Sequence, residues 1–245
     1  MLETIDLKKK ADINLLKSKV EIILTKKGIN DLEARVALVL DISGSMMNQY
    51  NSGAVQAFLE RIVPVASKLD DNNELDVWFF GSKFKRTKSV TENTVDGYIE
   101  KECGKKTRTL IFFEASSLMK ELGMSNNEAL VINDVQKKYA KEEPSKLPTF
   151  VIFLSDGGVH DDEKIQQALL NASVYPIFWQ FVGLGGRDYG ILKELDNMPG
   201  RYVDNANFFH IDDLSKITDD QLYQRLINEF PLWVKEAKNK NILRN

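Results

Sequence analysis

The hydrophobic positions of the chain alternate between short apolar runs and longer segments that carry apolar residues on one helical face. Apolar runs bounded by polar residues are typical of strands, and continuous runs are typical of strands buried on both faces. The runs lie at residues 35–41, 75–80, 149–154, 176–182 and 206–211, with a less regular edge strand predicted at 83–90. Between them, positions such as Val55, Phe58 and Ile62 share one face and predict a helix. This alternation predicts an α/β fold, with a doubly wound, mostly parallel central sheet flanked by helices and joined by right-handed crossovers.

The N-terminal segment carries a separate helical pattern. Apolar residues recur there at helical spacing and predict a helix from about residue 14 to residue 27, ended by Gly28. We therefore expect an N-terminal helical extension, residues 1–30, followed by one larger domain, residues 31–245, that includes a C-terminal helix.

Three local signals predict where other helices begin or bend. Ser125-x-x-Glu128 and Thr218-x-x-Gln221 match the capping-box pattern that opens a helix. Pro64 falls inside the helical pattern that follows the first strand, and it should kink that helix or end it early.

The most informative stretch is the apolar run at residues 36–40, which ends in Asp41, Ser43 and Ser45 at alternate positions. These side chains follow a buried strand at its carboxyl end, which is where ligands bind in open α/β sheets. All three offer only oxygen, and oxygen ligands fit a hard cation.

This D-x-S-x-S pattern resembles the motif of the von Willebrand factor A (vWA) domain family. Members of that family bind a divalent cation at a metal-ion-dependent adhesion site (MIDAS), and the resemblance implies that both hydroxyls reach the metal. Residues 150–157 are similar to the apolar strand of the family that ends in T-D-G. The resemblance therefore implies that Asp156 is the third-loop aspartate, which often acts through water. It runs from about Arg35 to about Asp213.

The second loop departs from the family pattern. The usual G-G-T is Gly123-Met124-Ser125 in this chain, so Ser125 keeps a hydroxyl where the family has threonine. Ser125 is either a metal ligand or a helix cap, and Asn126 or Asn127 could supply an amide oxygen in its place. Glu128 would add negative charge near the ion, with helix capping as its alternative role.

Composition narrows the possible classes of protein. The chain has 245 residues, of which 43% are hydrophobic, and this suits one α/β domain with appendages. A formal net charge of −3 gives no indication of binding to nucleic acid or to an anionic membrane. The single cysteine excludes an intramolecular disulfide and a Cys-rich zinc site. The N-terminus does not resemble a signal peptide, and no apolar run is long enough to span a membrane.

Residues 101–124 are longer than the usual connection in the family. A basic cluster at residues 101–108 is either a solvated loop or a patch that binds a partner. An apolar stretch at residues 110–113 follows, and then a predicted short helix at 114–121. We interpret His160, just beyond Asp156, as a solvated loop residue.

Together these features predict a cation-dependent protein-binding domain that is not an enzyme. Mg²⁺ is the first choice, with Mn²⁺ or Ca²⁺ possible, because two aspartates and two or three hydroxyls leave a coordination position open. An acidic side chain of a partner protein would fill that position. The residues in and around the motifs are most similar to those of the intracellular tellurium-resistance and stress-response branch of the family. That resemblance implies a cytoplasmic scaffold.

Two alternatives stay open. The same cation could serve a hydrolase that acts on a phosphorylated substrate, or the domain could be a degenerate structural module. A haloacid-dehalogenase-type phosphatase would need an aspartate where Ser43 stands, and neither a P-loop nor a G-x-S-x-G elbow is present.

Overall fold

The computed structural model describes residues 2–104, 106–108, 114–157, 161–186 and 188–243. Lys105, residues 110–113 and His160, which were interpreted above, lie outside them. The strands of the described residues are β1 (Arg35–Asp41), β2 (Asp76–Phe80), β3 (Phe84–Arg86), β4 (Lys106–Arg108), β5 (Glu114–Ser116), β6 (Thr149–Ser155), β7 (Ile177–Leu184) and β8 (Ala206–Ile211).

The α-helices of the described residues are α1 (Leu2–Lys26), α2 (Met47–Asn51), α3 (Ala54–Leu69), α4 (Tyr98–Cys103), α5 (Ser117–Leu122), α6 (Glu128–Lys137), α7 (Asp162–Ala172), α8 (Ile191–Glu194), α9 (Asp219–Leu226) and α10 (Phe230–Asn239). A π-helical turn, Lys138–Glu142, continues α6, and a 3₁₀ turn, Leu195–Asn197, continues α8.

The central sheet has the strand order β3, β2, β1, β6, β7, β8. All neighbouring pairs are parallel except β2 with β3, and β4 pairs with β5 in a separate antiparallel ribbon. Leu38 of β1 lies opposite Val77 of β2 on one side and Ile152 of β6 on the other. The chain thus builds the sheet outward from β1 in one direction and later resumes at β6 in the other. This order confirms the predicted doubly wound, mostly parallel sheet.

Two apolar layers cover the two faces of the sheet. Successive side chains of a strand point to opposite faces, so alternate residues of β1 enter different layers. Leu38 and Leu40 join the layer that includes α1, α3, α9 and α10, whereas Ala37 and Val39 join the layer that includes α6 and α7. Burial on both faces is why β1 is an unbroken apolar run.

The N-terminal helix is longer than predicted. α1 begins at Leu2 rather than near residue 14, so the predicted start was wrong. Residues 8–12 are exposed on this helix, and a solvated helical segment carries no apolar periodicity to reveal it. Further along, Val20, Ile23 and Leu24 are buried in the core, and α1 packs against α3 and α9. Of the helices in the described ranges, none is long and apolar enough to cross a membrane.

The two predicted capping boxes had different outcomes. At Thr218 both reciprocal bonds are present, which confirms the second. The first was wrong, because the N-cap of α6 is Asn127, whose side chain accepts a hydrogen bond from the backbone N of Leu130 at 3.3 Å. Ser125 stays outside the helix in the preceding loop. The helix predicted at 114–121 is also corrected, since β5 occupies its first residues and α5 starts only at Ser117.

Prolines affect two helices differently. α3 continues through Pro64 to Leu69, so Pro64 does not end it early. Phe58 and Ile62 before the proline and Val65 after it are fully buried, and this packing offsets the backbone hydrogen bond that proline cannot make. Pro231 instead lies in the first turn of α10, where a proline is tolerated, and the predicted C-terminal helix is divided into α9 and α10.

Candidate metal centre

The predicted site lies where the direction of the strand order reverses. β1 ends at Asp41, and the neighbouring β6 ends at Ser155, with Asp156 following directly. β1 and β6 are parallel, but the strand that follows β1 in the chain lies on one side of this pair and the strand that follows β6 lies on the other. This arrangement leaves a crevice between the carboxyl ends of β1 and β6, and open α/β sheets bind their ligands in such a crevice. The topology therefore brings the first-loop and third-loop residues to the same edge.

Asp41 is the buried centre of this edge. Its side chain is fully inaccessible to solvent. Oδ1 accepts a hydrogen bond from the backbone N of Ser43 at 2.8 Å. Oδ2 accepts from Ser155 Oγ at 2.7 Å and from Asn126 Nδ2 at 3.2 Å. Three polar groups, from the first loop, the second loop and the end of β6, thus converge on the carboxylate. The Tyr50 hydroxyl, from α2, donates to the backbone O of Asp41 at 2.9 Å.

A chain of hydroxyl contacts connects the first loop to Asp156. Ser43 Oγ lies 3.0 Å from Ser45 Oγ, and Ser45 Oγ donates to Asp156 Oδ1 at 2.8 Å. Ser43 is buried, Ser45 is exposed and Asp156 is half-buried. The cluster therefore runs from the core at Asp41 to the solvent at Ser45 and Asp156.

The second loop contributes one of its three candidate residues to this cluster. Gly44 N donates to Met124 O at 2.9 Å and holds the second loop against the first. Asn126 Nδ2 donates to Gly157 O at 3.1 Å as well as to Asp41, so Asn126 joins all three loops. Ser125 is exposed, and its side chain makes no hydrogen bond within the described part of the chain. Asn127 serves instead as the cap of α6.

Sequence reasoning missed two residues of the cluster. Ser155 is fully buried, donates to Asp41 and accepts from Gly157 N at 3.1 Å. Its signal was available, because a hydroxyl directly before Asp156 matches the threonine of the T-D-G pattern. Tyr50 had no comparable signal, since its contact depends on how α2 turns back onto β1.

Glycines let the loop after β7 hold the third loop in place. A Cβ atom on Gly186 would lie 1.9 Å from Asp156 O, and one on Gly157 would lie 2.0 Å from Asp188 O. Gly157 also has φ of 98°, a backbone conformation that side chains with a Cβ rarely adopt. The two backbones therefore approach more closely than any larger residue would allow, and this fixes the position of Asp156.

The carboxylates of the site have no counter-charge within the described residues. Burial raises the pKa of Asp41 to about 6, against the opposing effect of its hydrogen bonds from Ser43 and Ser155. Burial also raises the pKa of Asp156 and brings that of Glu128, the first residue of α6, to about 7. Among the described residues, no Lys, Arg or His forms an ion pair with any of these three groups.

The donor set fits a hard divalent cation. Two carboxylates and two hydroxyls, all oxygen, meet at the edge, and a cation there would offset the buried charge of Asp41. Over the described ranges, no group of three or more His, Cys, Asp or Glu side chains could hold a metal ion. Metal binding here would therefore depend on Ser43 and Ser45 as well as on the aspartates.

A family model and a sequence relative each match most of this chain. The family model described as vWA-TerF-like, the vWA found in the TerF C terminus, matches residues 33–243. An uncharacterized protein of Bacillus subtilis strain 168, YcbR, is 43% identical over 234 residues, which cover 96% of this chain and 91% of the relative.

Solved structures agree on the fold. Proximal thread matrix protein 1 of the mussel byssus superposes with a TM-score of 0.56 and 13% identity over 80% of this chain, and the match covers 47% of the mussel chain. A second structure of that protein, with a zinc-occupied MIDAS motif, has a TM-score of 0.51 at 14% identity, with the same coverage of both chains. The SpRpn10 VWA domain matches with a TM-score of 0.50 and 13% identity, over 81% of this chain and 95% of that domain. The extent of the family match, together with the YcbR relative and the observed sheet, establishes that the chain belongs to the vWA-TerF-like family.

Proposed function

We propose that this domain binds another protein through a divalent cation held at the carboxyl edge of the sheet, without catalysis. One observation carries the proposal. Asp41 is fully buried without a cationic partner among the described residues; it accepts from the backbone N of Ser43, and the hydroxyls of Ser43 and Ser45 lead from there to Asp156 at the surface. A zinc-occupied MIDAS motif in a mussel protein of the same fold supports it.

Asp41, Ser43 and Ser45 would hold the cation from the first loop, and Asp156 from the third, directly or through water. Asn126 is the second-loop residue whose contacts favour a role, since turning its amide would present oxygen to the site; Ser125 remains the alternative. Mg²⁺ is the proposed ion because it accepts an octahedral set of oxygens and keeps some waters, with Mn²⁺ or Ca²⁺ as substitutes.

The partner would approach from the solvent side of the cluster. Asp41 and Ser43 are buried, whereas Ser45 is exposed and Asp156 is half-buried. A cation between them would have its free coordination position facing solvent. An Asp or Glu side chain of the partner would supply both an oxygen ligand and the missing negative charge.

The cellular role we propose is that of a cytoplasmic scaffold in a stress or tellurium-resistance response. The family description, a vWA found in the TerF C terminus, supports this role. A strain that lacks the gene should be more sensitive to tellurite, and only a copy with an intact Asp41 should restore resistance. Equal resistance in the deletion strain would contradict the role while leaving cation binding untouched.

Calorimetry with Mg²⁺ and Mn²⁺ tests the cation site. Ser43→Ala should weaken binding strongly, whereas Ser67→Ala, which removes a hydroxyl that donates to Val63 O within α3, should leave it unchanged. With the wild-type domain as bait, partners retained in Mg²⁺ but lost in EDTA would be identified. The affinity of a purified partner should then collapse when its acidic residue is replaced by the amide. Equal affinity in Mg²⁺ and in EDTA would contradict the mechanism.

A further inference from the structure

The second loop carries an exposed methionine for which the cation site has no use. Met124 stands where the family pattern has the second glycine of G-G-T, so this chain adds a side chain at that position. The side chain is 48% exposed, although methionine is among the residue types most often buried. Single exposed apolar residues are common on protein surfaces, so exposure alone assigns no role. What distinguishes Met124 is the place where its side chain lies.

The side chain of Met124 lies against the backbone of the first loop. A Cβ atom on Gly44 would be 3.1 Å from Met124 Cε and 3.7 Å from Met124 Cβ. Gly44 separates Ser43 from Ser45, the two hydroxyl-bearing residues of the candidate site. Gly44 N also donates to Met124 O at 2.9 Å. The thioether side chain therefore lies next to the backbone that joins the two hydroxyl-bearing residues, and about half of it stays open to solvent there.

The turn between β2 and β3 holds the second loop from the other side. A Cβ atom on Gly81, in this turn, would lie 2.1 Å from Gly123 O. Lys83 N donates to Leu122 O at 2.8 Å across the same contact. The residues before Met124 are thus packed against the turn, while Met124 itself is bonded to the first loop. A loop that is fixed on both sides does not have to be ordered when a partner covers it, so less of the binding free energy is lost.

We propose that Met124 is a specificity-determining residue of the proposed partner site, and that the partner carries an apolar side chain next to the acidic residue that reaches the cation. This inference rests on the proposed function, because the acidic residue must approach a cation held by Ser43 and Ser45. An apolar neighbour of that residue would cover the exposed thioether, whose flexibility lets it fit side chains of different shapes. Burial of the two apolar groups contributes affinity, and the exclusion of water strengthens the attraction between carboxylate and cation.

A peptide display library tests this preference. The library holds an aspartate or glutamate fixed between randomised positions, and it is selected on the full wild-type chain in Mg²⁺ and in EDTA. Peptides enriched only in Mg²⁺ should carry an apolar residue next to the acid. Selection on Met124→Gln should still require Mg²⁺ and the acid but should lose the apolar preference.

Val174→Thr is the matched control for the selection. Val174 is 53% exposed and lies shortly before β7, at the amino edge of the sheet, opposite to the candidate site. The change replaces an exposed apolar side chain by a polar one of similar shape, as Met124→Gln does. Val174→Thr should therefore select the same peptides as the wild type.

Calorimetry then measures the affinity for the most enriched peptide in Mg²⁺. Met124→Gln should raise this Kd about five- to tenfold, because roughly half of an apolar side chain is left to bury. Met124→Leu stays apolar and of similar volume, so its Kd should remain within about twofold of wild type. The Kd for Mn²⁺ alone should be that of the wild type in both variants, since Met124 bonds to the first loop through its backbone.

The outcomes separate this inference from the proposed function. Peptides that need Mg²⁺ and the acid but carry no apolar neighbour overturn the role of Met124 and leave the cation site standing, as does an unchanged peptide Kd in Met124→Gln. A weaker affinity of Met124→Gln for Mn²⁺ alone assigns Met124 to the geometry of the loop and also overturns its role in specificity. If no peptide depends on Mg²⁺ for binding to the wild type, the recognition of an acidic residue fails, and this inference with it.

Discussion

The two ends of β1 both gather carboxylates, but within the described residues positive charge accompanies them at one end only. At the amino end, Asp70, Asp76 and Glu143 surround a cavity of about 360 Å³ together with Arg35 and Lys138. At the carboxyl end, Asp41 and Asp156 accept hydrogen bonds from hydroxyls and an amide instead.

The acidic groups at the amino end are satisfied within the fold. Lys138 Nζ lies 2.8 Å from Glu143 Oε2 and 3.5 Å from Asp76 Oδ2, and the Tyr139 hydroxyl donates to Asp76 Oδ2 at 2.6 Å. Arg35 lies 4.6 Å from the centre of the Tyr139 ring and donates to Thr149 Oγ1 at 3.1 Å. Asp70 Oδ2 accepts from the backbone N of Val36 at 2.6 Å. At this end, ion pairs and hydrogen bonds of charged side chains connect strands to helix ends.

The difference teaches that acidic clustering alone does not indicate a cation site. Burial raises the pKa of Asp70 to about 6, as it does for Asp41, so a raised pKa does not distinguish the two ends. What distinguishes them is counter-charge from the chain, present at one end and missing from the described residues at the other. We expect variants at the amino end to change stability, and variants at the carboxyl end to change cation binding.

The largest expected effect is on cation binding at the carboxyl end. Asp41→Asn keeps the shape of the side chain but removes its charge, so binding of Mg²⁺ and Mn²⁺ should be lost in calorimetry. At an ion concentration of ~100 Kd the wild type should gain about 2.7 kcal/mol of stability, and the variant none.

Asp76→Asn is the matched control at the other end. It weakens the contacts of Lys138 and Tyr139, so the free energy of unfolding should fall by about 1–2 kcal/mol, while cation affinity stays at the wild-type value. A loss of cation affinity in Asp76→Asn, or an unchanged affinity in Asp41→Asn, would remove the distinction between the two ends.

The second effect concerns the positive charge at the amino end. Arg35→Met removes the group that donates to Thr149 and to the backbone O of Tyr139 and Glu143. Urea unfolding should show a loss of about 2–3 kcal/mol, since Arg35 is only partly buried and breaking a fully buried pair costs more. Arg35→Lys keeps the charge but not the forked guanidinium group, so its free energy of unfolding should lie between those of the wild type and Arg35→Met. Free energies of unfolding within error of wild type for both variants would show that the amino end of β1 does not need the positive charge of Arg35.

The third effect is a pH dependence of the cation-free protein. The folded-state pKa of Asp41, about 6, lies above its unfolded value of about 3.9. The favourable contribution of Asp41 to the free energy of unfolding is therefore present at low pH and is lost as the pH rises through about 6. When the pH is lowered from ~7.5 to ~5.5, protonation of Asp41 alone should increase the free energy of unfolding by about 1 kcal/mol.

Glu128 and Asp70 titrate in the same direction, so the quantity to measure is the difference between wild type and Asp41→Asn in EDTA. Saturating Mg²⁺ should suppress that difference, because the ion holds Asp41 in its charged form. Identical pH profiles for the two proteins in EDTA would contradict the burial of an ionisable Asp41 without counter-charge.

The strands were predictable where burial alone explains the sequence pattern. β1, β6 and β7 are buried on both faces, so their apolar runs mark them closely. The early start of α1 was not predictable, because residues 8–12 are exposed and carry no apolar periodicity. The start of α5 was misplaced because residues 114–116 form β5, which pairs with β4 in a short antiparallel ribbon.

The clustering of the candidate site residues was predictable where spacing and strand ends decide it. Asp41, Ser43 and Ser45 follow one strand and Asp156 follows its neighbour, so the topology alone brings them together. The contact of Tyr50 and the burial of Glu128 depend on how helices turn back onto the sheet, which local sequence does not encode. Ser155 was overlooked because it is also the last residue of an apolar strand.

The smallest expected effect lies in the second loop, which has no counterpart at the amino end of β1. Asn127→Ala should cost about 1 kcal/mol of stability through loss of the α6 cap and leave cation affinity unchanged. Ser125→Ala should change stability by less than about 0.5 kcal/mol, because its side chain is exposed. Both values come from urea unfolding in EDTA.

Cation affinity then decides which second-loop residue serves the site. Asn126→Ala removes the one second-loop side chain that touches Asp41, so its Kd for Mn²⁺ should rise, whereas that of Ser125→Ala should stay near wild type. If the Ser125 hydroxyl moves inward when the ion binds, the order of the two variants will be reversed. That reversal would show that the cation reorganises the loop, and that the hydrogen bonds of Asn126 belong to the cation-free state.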